Sequence, residues 1–279
     1  MTAGSRGVGI VINQMRTCDG MNVEQWMKDM EEWGEQVAAF QRETKREQQL
    51  KVSTKGHEMD FVTNVDLKSE DMLVQRISEK YPDHSILTEE RGLIDKQSDY
   101  LWVIDPIDGT TNFIHGFPMS SISVALQYKG ITQAGIVYAP WMAMKFSAIR
   151  ERGAYLNGER IAVSQTCELR HSLLATGFPA GDSQSTVNLA YFNRMIRKVS
   201  GIRRTGSAAL DLCFVAASFL DGYWEFDLSD WDMCAGALIA KEAGAIVLNK
   251  DMDNHRLLIC CNPRIFDVLQ AGLLEQEEY

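Results

Sequence analysis

The chain is 279 residues long, with 45% hydrophobic and 24% charged residues, a balance that excludes intrinsic disorder and a disulfide-dense mini-fold. A formal net charge of −10 argues against nucleic acid or an anionic membrane as a partner. Six cysteines, at 18, 167, 213, 234, 260 and 261, form no Cys-x-x-Cys pair and no zinc-type cluster, so reduced thiols and a cytoplasmic location are expected. No apolar run near the N-terminus exceeds the short stretch from Val8 to Ile12, far from a membrane span.

Residues 1–20 carry scattered glycines without periodicity and are read as a flexible N-terminal extension. Trp26, Met30, Trp33, Val37 and Phe40 then recur at spacings of four and three, one apolar stripe of a helix. A second helix is expected from Asp66 to Lys80, ended by Pro82, and short strands at Ser85–Thr88 and Leu101–Ile104. Ser121–Tyr128 and Ile131–Ala139, separated by Lys129 and Gly130, read as a hairpin that Met144–Ile149 extends. From about residue 150 strands at 172–176 and 222–226 alternate with helices near 185–199, 207–219 and 231–243. Gly244 closes the last of these, and Asn262 with Pro263 is expected to start a final helix. These patterns predict a mixed α/β (α+β) layered fold in two subdomains, 21–150 with a metal site and 151–279 completing it.

Chemistry concentrates in acidic motifs. DPIDGTTNF, Asp105 to Phe113, follows a buried strand, and Gly109 permits a tight turn into a helix near Thr110. Two carboxylates thus approach a helix N-terminus, whose free N–H groups suit a phosphate. Carboxylates and phosphate repel unless divalent cations lie between them, and all-oxygen ligands select a hard cation such as Mg²⁺. Asp-Gly and Pro-x-Asp-Gly are also ordinary turn signals. Glu89 and Glu90 in LTEERG and Asp232 at the head of an apolar helix make a chance conjunction improbable.

DPIDGTTNF at 105–113, TEE at 88–90 and WDMCAGALIAKEAGA at 231–245 closely resemble the signatures of the inositol monophosphatase family of lithium-sensitive, Mg²⁺-dependent phosphatases. KGHEMDFVTNVD at 55–66, RRTGSAALDLC at 203–213 and Glu225 extend the resemblance over about residues 22–263. It implies the layered αβαβα sandwich shared with fructose-1,6-bisphosphatases. It also implies hydrolysis of a phosphate monoester, inositol monophosphate first, by direct attack of a metal-activated water. Carried onto this chain, Glu89, Asp105 and the Ile107 carbonyl would bind one Mg²⁺, and Asp105, Asp108 and Asp232 a second. A third, weaker ion would touch Glu89. Gly109 and Thr110 would hold the phosphate, and Asp66 with Thr110 would orient the water. Gly206, Ser207, Ala208 and Glu225 would meet the alcohol. A homodimer fits family habit.

Ser207 replaces a threonine and Asp211 an asparagine found in some inositol-specific members, and the 245–260 stretch is short, so substrate identity is the open point. Sugar bisphosphatase, NADP phosphatase and 3′-phosphonucleotide phosphatase activities are the alternatives, with a non-catalytic regulatory protein from another class. A haloacid-dehalogenase phosphatase is disfavoured, since Asp105 and Asp108 are three residues apart rather than two. The scattered histidines suggest no ligand set, and Ser207 lacks a nucleophile-elbow context.

Overall fold

The stripe Trp26, Met30, Trp33 and Val37 is buried along α1 (Val23–Arg46) in the computed structural model, which describes residues 22–46, 50–54, 61–178, 182–252 and 254–274. The expected extension at 1–20 lies outside the described residues. Phe40, the last of the stripe, is partly buried and packs on Val65, Ile107 and Phe113. A ribbon of β1 (Val52–Thr54) and β2 (Phe61–Thr63) leads into α2 (Asn64–Lys80). Then come β3 (Ser85–Thr88), β4 (Gly92–Ile94), β5 (Tyr100–Asp108) and the short α3 (Thr110–His115). A meander follows: β6 (Ser121–Tyr128), β7 (Ile131–Ala139), β8 (Met144–Ile149), β9 (Ala154–Leu156) and β10 (Glu159–Ile161). Lys129 and Gly130 both have positive φ, 50° and 74°, as a two-residue hairpin turn with right-handed strand twist requires.

The second half holds β11 (Leu173–Thr176), α4 (Asp182–Met195), β12 (Gly201–Arg203), α5 (Ala208–Ala216), β13 (Gly222–Phe226), α6 (Asp230–Glu242), β14 (Ile246–Met252), β15 (His255–Cys261) and α7 (Phe266–Leu274). Two large sheets result. One has eight strands in the order β10-β9-β8-β7-β6-β5-β3-β4, the other five in the order β12-β11-β13-β15-β14.

Three apolar clusters stack these elements into layers. Leu73 and Ile77 of α2 join the α1 stripe against Trp102, Ile104, Ile122 and Val124 on one face of the eight-stranded sheet. On its other face Val103, Ala125 and Val137 meet Leu212 of α5 and Ile239 of α6, which also cover Tyr223, Leu258 and Cys260 of the five-stranded sheet. The far face of that sheet, Leu174, Trp224 and Ile259, packs on Met195, Leu269 and Leu273 of α4 and α7. The order helix, sheet, helix, sheet, helix is the αβαβα sandwich.

Differences from the sequence reading are local. The eight-stranded sheet continues past residue 150 to Ile161. The second helix opens at Asn64 with Thr63 as its N-cap, placing Asp66 at the third helical position. The helix expected near 185–199 runs from Asp182 to Met195. The last helix starts at Phe266, because Asn262 instead accepts from Arg264 N at 2.9 Å and donates to Ser164 Oγ at 2.8 Å. An Asx-type turn wins there over a helix cap.

Candidate active site

Side chains three apart on a regular strand point to opposite faces, so Asp105 and Asp108 of β5 should not meet. The pairing of β5 with β6 breaks its register between them: Asp105 faces Ser123 and Asp108 faces Ser121. Such an irregularity re-aims a side chain. Pro106 donates no N–H, and its carbonyl accepts from the buried Gln41 Nε2 at 2.9 Å. Asp232, third residue of α6, closes a capping box with Ser229, whose N–H donates to it at 2.8 Å. Carboxylate oxygens of Asp105, Asp108 and Asp232 consequently lie within 4.8 Å of one another, a set able to hold a metal ion. Glu89, in the turn after β3, lines the same cleft. Glu70 secures that turn, accepting from Glu90 N at 2.9 Å and pairing with Arg91 at 3.0 Å.

Crowding has an electrostatic signature. Burial, then the charges of Glu89, Asp108 and Asp232, push Asp105 well above the ordinary carboxylate range. Burial pushes Asp108 up to about 6. Asp232 is raised well above its ordinary value by burial and by Asp108. Buried acids facing one another favour protons or a cation between them, and a hard dication matches the all-oxygen donor set.

Asp108 is also bonded on its far side, at the start of α5. It accepts from Ala209 N at 2.9 Å, from Ala208 N at 3.3 Å and from the Ser207 hydroxyl. Gly109, between β5 and α3, has φ 92° and a backbone against which a Cβ would meet the carbonyls of Gly206 and Met119, each at 2.9 Å. Only glycine fits. Asn112 Nδ2 ties this corner to the α5 side by donating to Met119 O and Thr205 O, both at 2.7 Å.

Thr110, first residue of α3, donates its hydroxyl to Asp66 Oδ1 at 2.9 Å and lies 3.1 Å from Ile107 O. Asp66 is fully buried, and its other oxygen accepts from Thr63 N at 2.9 Å and from the Thr63 hydroxyl. Burial raises its pKa against the pull of those hydrogen bonds.

Two adjoining cavities, of about 340 and 170 Å³, share Glu89, Asp108, Arg204, Gly206 and Asp232. The larger extends to Gly177, Asp211, Glu225 and Asp227, and among the described residues Arg204 is the sole basic one lining either. Burial pushes Glu225 up to about 7, opposed by the hydroxyl of Tyr223, which donates to it. Asp211 is buried too, and its Oδ1 has no hydrogen-bond partner among the described residues.

A family model described as the inositol monophosphatase family matches residues 23–278. The chain belongs to the inositol monophosphatase family. Among its relatives, a Haemophilus influenzae protein named Nus factor SuhB is 46% identical over 200 residues, 71% of this chain and 75% of that one. A solved structure of the extragenic suppressor protein suhB from Bartonella henselae superposes with TM-score 0.83 at 36% identity, covering 90% of this chain and 99% of that one. Inositol monophosphatase from Anabaena superposes with TM-score 0.78 at 33% identity, covering 91% and 97%.

Of the residues that the family resemblance singles out, Glu89, Asp105, Ile107, Asp108, Gly109, Thr110, Gly206 and Asp232 line the smaller cavity. Ser207, Ala208 and Glu225 line the larger. Asp66 lines neither, and reaches the site through Thr110. Ser207 and Ala208, expected against the alcohol, also donate to Asp108. Sequence reasoning missed Arg204, Gly177, Gln41 and Glu70. Arg204 sat inside a quoted motif, RRTGSAALDLC, while the other three carried no local signal.

Proposed function

We propose that the protein is a Mg²⁺-dependent phosphoric monoester hydrolase acting on the monophosphate of a neutral polyol, inositol monophosphate first. The observation that carries this reading is the clustering of Asp105, Asp108 and Asp232 within 4.8 Å beside the hydrogen-bonded Thr110 and Asp66. Glu89, Asp105, Asp108, Asp232 and the Ile107 carbonyl would hold two or three ions. Bound Mg²⁺ supplies positive charge to the phosphate and lowers the pKa of coordinated water.

The chain's own groups do the rest. Thr110 directs its proton to Asp66 and so turns its lone pairs toward a water in the cleft, with Glu89 on the same wall. Backbone N–H groups at Gly109 and Thr110, in a first helical turn, are suited to a phosphate. Asp211, Glu225 and Asp227 line the alcohol side together with Arg204. An acid-rich wall accepts hydrogen bonds from hydroxyls and repels a second phosphate, which favours inositol monophosphate over sugar bisphosphates, NADP and 3′-phosphonucleotides.

Phosphate release from a panel of these esters, with Mg²⁺ and with a chelator, tests the assignment. Inhibition by lithium and assembly as a homodimer, with Ile131 and Trp141 of the hairpin region exposed for it, belong to the same reading. So does a cytoplasmic location. Among the described residues five cysteines are free and no helix is long and apolar enough to cross a membrane.

A second reading rests on the relatives' name. Proteins called Nus factor SuhB are 40–47% identical to this chain, and in this reading the chain has a regulatory role that does not use turnover. Cells carrying Asp105→Asn in place of the natural protein separate the two: retained cellular function without phosphate release favours the second reading.

A further inference from the structure

Glu225 is aimed by a frame that sequence reasoning did not detect. Gly177 directly follows β11, and a Cβ on it would overlap the carboxylate carbon and both oxygens of Glu225. The Glu225 carboxylate therefore lies on the bare Cα of Gly177 while the Tyr223 hydroxyl donates to its Oε2. The φ of Gly177 is not in the left-handed region, so a Cβ there would conflict with the Glu225 carboxylate and not with the backbone, and the carboxylate would have to move.

Gly177 is itself pinned. Asn188 of α4, fully buried, donates through Nδ2 to Gly177 O at 2.5 Å and to Thr176 Oγ1 at 2.8 Å. Its Oδ1 accepts from Trp224 Nε1 at 2.7 Å, and Thr176 Oγ1 donates to Trp224 O at 2.8 Å. A satisfied buried network of this kind rigidifies what it joins. Here it joins the strand end that carries Gly177 to the residue preceding Glu225.

We propose that Gly177 and Asn188 are positioning residues for Glu225, fixing its carboxylate at the alcohol side of the cleft and thereby setting preference for polyhydroxylated over featureless leaving groups. The inference rests on Glu225 accepting hydrogen bonds from substrate hydroxyls. Neither residue needs to touch substrate.

The test is the ratio of kcat/KM for inositol monophosphate to that for p-nitrophenyl phosphate, measured in Gly177→Ala, Asn188→Asp, Glu225→Gln and the Gly177→Ala/Glu225→Gln double variant. Each single variant should lower the ratio about tenfold or more, the size of one lost hydrogen bond to a charged group. The double variant should be no worse than Glu225→Gln alone, because both act through one carboxylate. A ratio unaltered by Glu225→Gln defeats the reading of Glu225 itself. A ratio lowered by Glu225→Gln but unaltered by Gly177→Ala and Asn188→Asp leaves that reading intact and overturns the positioning role. Equal losses for both esters in the two positioning variants also overturn it, since general structural damage does that. If Gly177→Ala alone does not fold, pairing it with Glu225→Ala decides the contact: recovery of folded protein supports it, continued failure overturns it. Asn188→Asp then supplies the selectivity measurement.

Discussion

Thr110 donates its hydroxyl to Asp66 across 2.9 Å, joining the first turns of α3 and α2. Helix capping and water positioning are rival roles for such a pair at two helix starts. Asp66 makes the contacts that both roles need, since one oxygen serves the capping box with Thr63 and the other accepts from Thr110. Thr110 is not a cap at all, because Gly109 occupies that position in α3.

Different consequences follow for the two substitutions. Thr110→Ala should lower turnover by about 10² to 10⁴, the usual cost of lost positioning, with a near-normal melting temperature. Asp66→Asn should lower turnover similarly and also cost roughly 1 kcal/mol of stability through its cap. Their turnover losses should be non-additive. Normal turnover in Thr110→Ala would remove the pair from the chemistry.

The acidic cluster makes the metal-free protein pH-sensitive in a defined direction. Asp108 is held near 6 and Glu225 near 7, above their ordinary 3.8 and 4.5. Between those limits the native state binds protons that the unfolded chain has lost, so stability falls as pH rises from about 4 to 7. In chelator the melting temperature should be lower at pH 8 than at pH 6. Millimolar Mg²⁺ should restore it at pH 8, by about 2.7 kcal/mol at a hundredfold excess over Kd. Asp105→Asn, which removes one charge from the crowded trio, should melt higher than the natural protein at pH 8 in chelator. A melting temperature indifferent to pH, Mg²⁺ and this substitution would contradict the cluster's mutual repulsion.

Gly109 admits no side chain, both for its φ of 92° and for the two carbonyls at 2.9 Å from a Cβ. Gly109→Ala should cost on the order of 1–3 kcal/mol from backbone strain alone, together with nearly all turnover, as thermal melting and phosphate release would show. Gly158 shares the positive φ but has nothing within 4 Å of a Cβ, so Gly158→Ala should spare turnover.

Local chemistry made much of this legible in the sequence. The stripe from Trp26 to Val37 has helical spacing and is buried as such, and Lys129-Gly130 supplied the positive φ that its hairpin needs. The acidic motifs stood out because buried carboxylates are costly unless used. What stayed hidden depends on distant chain segments meeting. Nothing near Gly177 announces Glu225, and nothing near Glu70 announces the turn that carries Glu89. Asn262 was misread because the same side chain caps helices and closes Asx turns, and its partner Ser164 is far away in sequence.

Phosphate release from inositol monophosphate, followed in the natural protein and in Asp105→Asn with Mg²⁺ and with chelator, tests the central claim most directly. Release should require Mg²⁺, and Asp105→Asn should fall below about a tenth of the natural rate, because a carboxylate proposed to hold the Mg²⁺ would lose its charge. Release that persists undiminished in chelator, or an Asp105→Asn variant that keeps more than about a tenth of the rate, would contradict it.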